Sequence, residues 1–165
     1  MSRKHIQQFL FPELNRKFLV RVLVVGICAF VLFSYILIPF RVIGFSMEPT
    51  YRDGDVNFSF ALKYVFAPPE RFDVVTVRLS GTRVMLLKRI VALPGETVAF
   101  ENGYLMINGQ KMVEPYVSDR HPWNLELRTV KEGHVYVVGD NRNVPMRTHD
   151  FGQTPIHRIT GAPLW

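Results

Sequence analysis

Cysteine is nearly absent: Cys28 stands alone in 165 residues, so no disulfide can close within the chain and the paired-cysteine patterns that hold zinc are excluded. His5, His121, His134 and His157 show no spacing that would gather a metal ion, and nothing in the sequence calls for an organic cofactor. Internal repeats and low-complexity stretches are missing too. Acidic residues are scarce at the start, where positions 1 to 21 hold Arg3, Lys4, Arg16, Lys17 and Arg21 against Glu13 alone. That short tail carries four of the six net positive charges. The rest of the chain is nearly balanced, which argues against a phosphate-tracking surface and a nucleic-acid partner. A 48% hydrophobic composition is too apolar for disorder, and 165 residues leave room for one core plus an anchor.

Charge of either sign is missing from Val22 to Phe40, which reads VLVVGICAFVLFSYILIPF. Crossing a bilayer as a helix takes about 20 residues, so this run of 19 is expected to span one. Tyr35, Pro39 and Phe40 suit its far interface. No small-x-small cleavage site follows, so the segment reads as a retained anchor rather than a secretion signal. A basic tail beside an apolar run stays on the cytoplasmic side near anionic lipid. The expected organisation is a basic cytoplasmic tail over 1–21, a transmembrane helix over 22–40, and an extracytoplasmic domain over 41–165.

Beyond Arg41 the apolar run gives way to short segments punctuated by Gly, Pro, Asn and Asp, the pattern of a mainly β, antiparallel domain. The expected strands are 41–45, 56–62, 73–79, 83–93, 97–100, 104–107 and 134–138. Turns are expected at Ser80-Gly81-Thr82 and Pro94-Gly95-Glu96. Asn102-Gly103 and Asn108-Gly109 are hairpin signals. Residues 113–133 resist assignment.

Two stretches can carry chemistry. Gly44-Phe45-Ser46-Met47-Glu48-Pro49-Thr50 follows the anchor, and Pro49 breaks the strand just after a serine. A serine hydroxyl is a poor nucleophile without a base to take its proton, and alone this one reads more readily as a turn or surface residue. In 83–93, strand alternation puts Val84, Leu86, Lys88 and Ile90 on one face. Lysine among apolar neighbours is pushed toward its neutral amine, the form a general base needs. The alternatives are that Lys88 reaches out to water or pairs with a carboxylate. Arg89 falls on the opposite face, where a structural role is expected.

Taken together the stretches resemble the type I signal peptidases, or leader peptidases. Gly44 to Thr50 is similar to that family's nucleophile box, Lys88-Arg89-Ile90-Val91-Ala92-Leu93-Pro94-Gly95-Glu96 to its lysine box, and Gly139-Asp140-Asn141-Arg142 to the start of its last box. The resemblance runs from the anchor to about Gly152. It implies a serine/lysine dyad of Ser46 and Lys88 in a mainly antiparallel β-fold. It also implies removal of signal peptides from exported precursor proteins, with small residues at the first and third positions before the cut. Gly44, Met47, Asp140, Asn141 and Thr148 are the expected oxyanion and support residues.

The chain departs from the family pattern in two places. Many relatives have a serine where Gly44 stands, so the oxyanion must rest on backbone N–H groups, with that of Ser46 the first candidate. The last box usually continues to a lysine-contacting serine, an aspartate and an arginine, and those places hold Pro145, Arg147 and His149. Thr148 is then the nearest replacement hydroxyl. His149-Asp150 leaves open a histidine-based triad. Two further readings stay open: a specialised peptidase of a pilus or conjugation system, and a catalytically dead, membrane-tethered β-domain that binds exported chains.

Overall fold

The computed structural model describes residues 15–78, 85–149 and 152–165. The basic tail before Asn15, the expected turn at 80–82, Val84 and Asp150 lie outside them. A helix runs over Arg16–Val31 and continues as a wider turn over Leu32–Ile36. Asn15 caps it, its side chain accepting from the Phe18 N–H at 2.9 Å. Arg16–Ile36 is long and apolar enough to cross a membrane, with a mean hydropathy of 2.5. At 1.5 Å per residue it is about 30 Å long, the thickness of a bilayer's hydrocarbon core.

The expected helix end at Phe40 is corrected to Ile36. Pro39 cannot continue a helix, and the residue before a proline favours extended backbone. Leu37–Arg41 is therefore strand β1, paired along its length with β2 (Val56–Phe60), from Leu37 opposite Phe60 to Arg41 opposite Val56. Of the expected strand at 41–45 only Arg41 is in a strand, as the last residue of β1, and 42–45 form an open loop instead. A short helix, Lys63–Phe66, follows β2, and then come β3 (Val74–Arg78), β4 (Met85–Ala92), β5 (Thr97–Glu101) and β6 (Tyr104–Ile107). The remaining strands are β7 (Gln110–Lys111), β8 (Leu125–Thr129), β9 (His134–Val138), β10 (Gly152–Pro155) and β11 (Ile159–Pro163).

The strands form a seven-stranded sheet in the order β1-β2-β11-β3-β4-β9-β10 and a four-stranded sheet in the order β7-β6-β5-β8. All ladders between strands are antiparallel. The hairpin signals are met: Asn102 and Gly103 both take positive φ, as do Asn108 and Gly109, which is the two-residue turn that matches strand twist.

Alternation decides which faces are dry. Val91, Ala92, Tyr136 and Val138 from one face of the large sheet pack with Val98, Phe100, Leu105, Ile107 and Trp123 around the small one. The other face buries Val75, Val77, Ile90, Val135 and Val137. A third cluster of Val42, Met47 and Leu87 binds the loop after β1 to β4. The site is built where this third cluster meets the ends of β4 and β9.

Candidate active site

Residues 42–55 leave β1 and return as β2, and their own polar groups hold them in shape. Val42 and Asp55 close the base, Val42 N–H donating to the Asp55 carbonyl at 2.8 Å and Gly54 N–H to the Val42 carbonyl at 2.9 Å. The Asp53 carboxylate accepts from the Gly44 N–H at 2.7 Å and the Asp55 carboxylate from the Arg52 N–H at 2.8 Å. Gly44 has φ +90°, a conformation that suits glycine. Met47, only 1% exposed, anchors the loop against Leu87. Burying such a side chain is worth about 1.5–3 kcal/mol.

Leu87 precedes Lys88 on β4. Lys88 is 3% exposed, sits opposite Val75 of β3, and shares its strand face with Leu86 and Ile90. The same face carries Val137 of β9, which is paired with Ile90, while Val138 pairs with Arg89. One residue further along this antiparallel pair, Gly139 comes level with Lys88.

Gly139 is where the loop touches down. A Cβ built there would lie 3.1 Å from the Ser46 carbonyl carbon and 3.3 Å from its Cβ, and would overlap its carbonyl oxygen. Asn141 completes the clasp, its N–H donating to the Ser46 carbonyl at 3.0 Å and its Nδ2 to the Phe45 carbonyl at 3.0 Å. Ser46 and Lys88, far apart in sequence, are thus brought to the same backbone segment by independent contacts.

The model of the family described as signal peptidase, peptidase S26, matches residues 15–164. The chain belongs to this signal peptidase family. Among similar proteins are signal peptidase I of Bacillus licheniformis, 31% identical over 153 residues that make up 86% of this chain and 82% of that one, and the "probable signal peptidase I-1" of Synechocystis sp., 34% identical over 128 residues, 73% of this chain and 65% of that one. Thylakoidal processing peptidase 1 of Arabidopsis thaliana is 31% identical over 131 residues, 73% of this chain and 38% of that one. The chain therefore spans less than two thirds of the length of some of the relatives it matches.

The expected support residues of this signal peptidase family member separate into those that converge and those that do not. Asp140, fully buried, takes two hydrogen bonds from Arg89, Nε to Oδ1 at 2.8 Å and Nη2 to Oδ2 at 2.6 Å. Thr50 of the loop donates its hydroxyl to the same carboxylate at 2.6 Å. Arg89 also donates to the Phe72 carbonyl at 2.7 Å and stacks on the Tyr116 ring at 4.0 Å. Burial alone would lower the Arg89 pKa, but the hydrogen bonds and charge of Asp140 outweigh it and hold it above its ordinary value. Burial pushes the Tyr51 phenol up, Arg89 opposing and Asp140 adding, so it remains a neutral wall of the loop.

Thr148 does not converge. It lies exposed in a turn, with its hydroxyl donating to the Pro145 carbonyl at 2.7 Å. Pro145 at the usual serine position starts that turn and fixes its direction. Of the threonines, Thr154 lines the same cleft as Lys88. The His149 ring meets Trp123 edge-on at 4.8 Å, and Trp123 belongs to the core on the face of the large sheet opposite to the Lys88 face.

A second buried pair escaped the sequence altogether. Arg142 donates to Glu114 at 2.8 Å and to the Gly139 carbonyl at 2.7 Å, and Tyr116 donates to the same Glu114 oxygen at 2.9 Å. Burial first, then the Glu114 carboxylate, push the Tyr116 phenol well up, so it stays a donor. Glu114 and Tyr116 sit in the stretch that no periodicity assigns, and Arg142, the partner of Glu114, is 28 residues away from it. Among the described residues no group of three or more His, Cys, Asp or Glu side chains could hold a metal ion.

Proposed function

We propose that this chain is a membrane-anchored serine endopeptidase that removes signal peptides from exported proteins, with Ser46 as nucleophile and Lys88 as general base. The observation that carries the reading is the seating of Ser46 on Gly139, the residue level with Lys88 at the end of β9. Burial among apolar side chains disfavours the ammonium of Lys88, which favours the neutral amine a base requires. Lys88 takes the Ser46 proton as Oγ attacks the scissile carbonyl, and returns it to the leaving amine as the C–N bond breaks. Water, deprotonated by the same amine, then hydrolyses the acyl-enzyme.

The developing oxyanion rests on backbone donors, the Ser46 N–H foremost, since Gly44 brings no hydroxyl. The apolar cluster of Val42, Met47 and Leu87 beside Ser46 suits small residues next to the cut, which larger ones would displace. The helix Arg16–Ile36 supplies the anchor, and the cations Arg16, Lys17 and Arg21 at its start favour a cytoplasmic tail with residues 41–165 outside. The names of the relatives support the choice of signal peptides as substrates.

The test is cleavage of a signal-bearing precursor by the purified full chain in lipid. The wild type is expected to release the mature protein and a folded Ser46→Ala variant to release none. Equal cleavage by both would end this reading.

A further inference from the structure

Segment 139–142 receives the Ser46 loop at three consecutive residues. Gly139 does so by close approach, Asp140 by accepting the Thr50 hydroxyl at 2.6 Å, and Asn141 by donating its N–H to the Ser46 carbonyl at 3.0 Å. The segment lies beyond the end of β9, so groups outside the sheet must hold it. Arg142 folds back along it, with Nε donating to the Gly139 carbonyl at 2.7 Å and Nη2 to Glu114 Oε1 at 2.8 Å. The Arg142 carbonyl accepts the His121 N–H at 2.8 Å.

Tyr116 ties in the second arginine. Its ring lies 4.0 Å from the Arg89 guanidinium, which holds Asp140, and its hydroxyl donates at 2.9 Å to the same Glu114 oxygen that takes Arg142. One carboxylate oxygen thus joins both arginines that fix the seat of Ser46. Glu114 and Arg142 are 4% and 1% exposed. Stability alone is a weak reason to bury such a pair, since apolar residues of like size hold a fold as well or better. What they cannot supply is a donor aimed at the Gly139 carbonyl.

We propose that Glu114 and Tyr116 are positioning residues for the cleavage reaction, fixing segment 139–142 through Arg142 and Arg89 and so setting where Ser46 Oγ stands when it attacks. The inference rests on the peptidase reading above. Loosening the segment moves the nucleophile, and a displacement well under 1 Å reduces the rate by about tenfold.

The experiment measures kcat, KM and thermal melts for the full chain in lipid with a signal-bearing precursor. Glu114→Gln is expected to lose about tenfold in kcat with KM within about twofold of wild type. Tyr116→Phe keeps the ring beside Arg89 and should lose less kcat than Tyr116→Leu. The double variant Glu114→Met, Arg142→Met is expected to melt near the wild type while kcat stays about tenfold down. Ile107→Ala, a cavity in the core of the small sheet, should melt lower and keep its kcat. Added to Gly139→Ala, Glu114→Gln should lower kcat little further, because both act on one contact.

A kcat that returns with the melt in the Met double variant overturns the proposal. So does a further full tenfold loss on top of Gly139→Ala, or a loss that lies in KM alone. Should Glu114→Gln not fold, equal kcat in Tyr116→Phe, Tyr116→Leu and wild type overturns it. Cleavage that survives Ser46→Ala overturns the peptidase reading and this inference together, whereas Ser46-dependent cleavage at wild-type kcat in Glu114→Gln overturns this inference alone.

Discussion

Replacing Gly139 by alanine adds one methyl group at the contact between the Ser46 loop and the end of β9. The new Cβ would overlap the Ser46 carbonyl oxygen and stand 3.1 Å from its carbonyl carbon, both backbone atoms that cannot swing aside as a side-chain tip would. The loop is held from the other side by buried Met47 and by Asn141, so it must retreat as a unit by roughly 1 Å to restore normal contact. Overpacking of this kind costs about 1–3 kcal/mol in stability, and a displacement of about 1 Å at a reacting atom costs about 100-fold in rate. Gly139→Ala is therefore expected to stay folded, melt a few degrees lower, and lose about 100-fold in kcat. The assay is single-turnover precursor cleavage beside a thermal melt. Gly26→Ala serves as control, since a Cβ there meets nothing within 4 Å. A Gly139→Ala protein with near wild-type kcat would refute the claim that this close approach sets the position of Ser46.

Removing one side of the Arg89–Asp140 pair leaves a buried charge without its main partner, so Arg89→Met is expected to cost about 3–5 kcal/mol in a denaturant melt. Gly44→Ser meets open space but a φ of +90°, so it is expected to lose about 1–2 kcal/mol of stability to backbone strain and to raise kcat only if the new hydroxyl reaches the oxyanion. Burial alone would raise the Asp73 carboxyl, but hydrogen bonds from Lys63, the Glu70 N–H and Tyr64, with the Lys63 charge, hold it below its ordinary value. Its folded pKa being the lower one, the stability it contributes is full above the unfolded value of about 4 and is lost as pH falls through the folded value. The stability gap between wild type and Asp73→Asn should thus be constant near neutrality and close in acid.

The parts of the fold that were legible in the sequence are those set by local pattern. The charge-free run showed the helix, alternation showed β4 with Lys88 among apolar neighbours, and Asn-Gly pairs showed two hairpins. The helix end was missed by four residues because a hydrophobic run does not distinguish a membrane helix from the strand it feeds, and only the pairing of Leu37–Arg41 with β2 decides it. Strands β10 and β11 carry Gly and Pro, the residues that normally demote a strand, and are held by neighbours far along the chain. Strand β8 buries only Leu125 and so shows no alternation. At the site, Arg89 was placed by face alone, but its partner Asp140 is 51 residues away. Thr148 looked available by sequence distance, and the turn begun by Pro145 ties its hydroxyl elsewhere.

The central claim is that the amine of Lys88 activates Ser46, and Lys88→Met tests it most directly because methionine keeps much of the apolar stem while removing the nitrogen. The measurement is the initial rate of precursor cleavage by the folded variant, set beside wild type and His149→Ala. The account predicts loss of nearly all turnover in Lys88→Met and substantial turnover in His149→Ala. A folded Lys88→Met protein cleaving at near wild-type rate would contradict it.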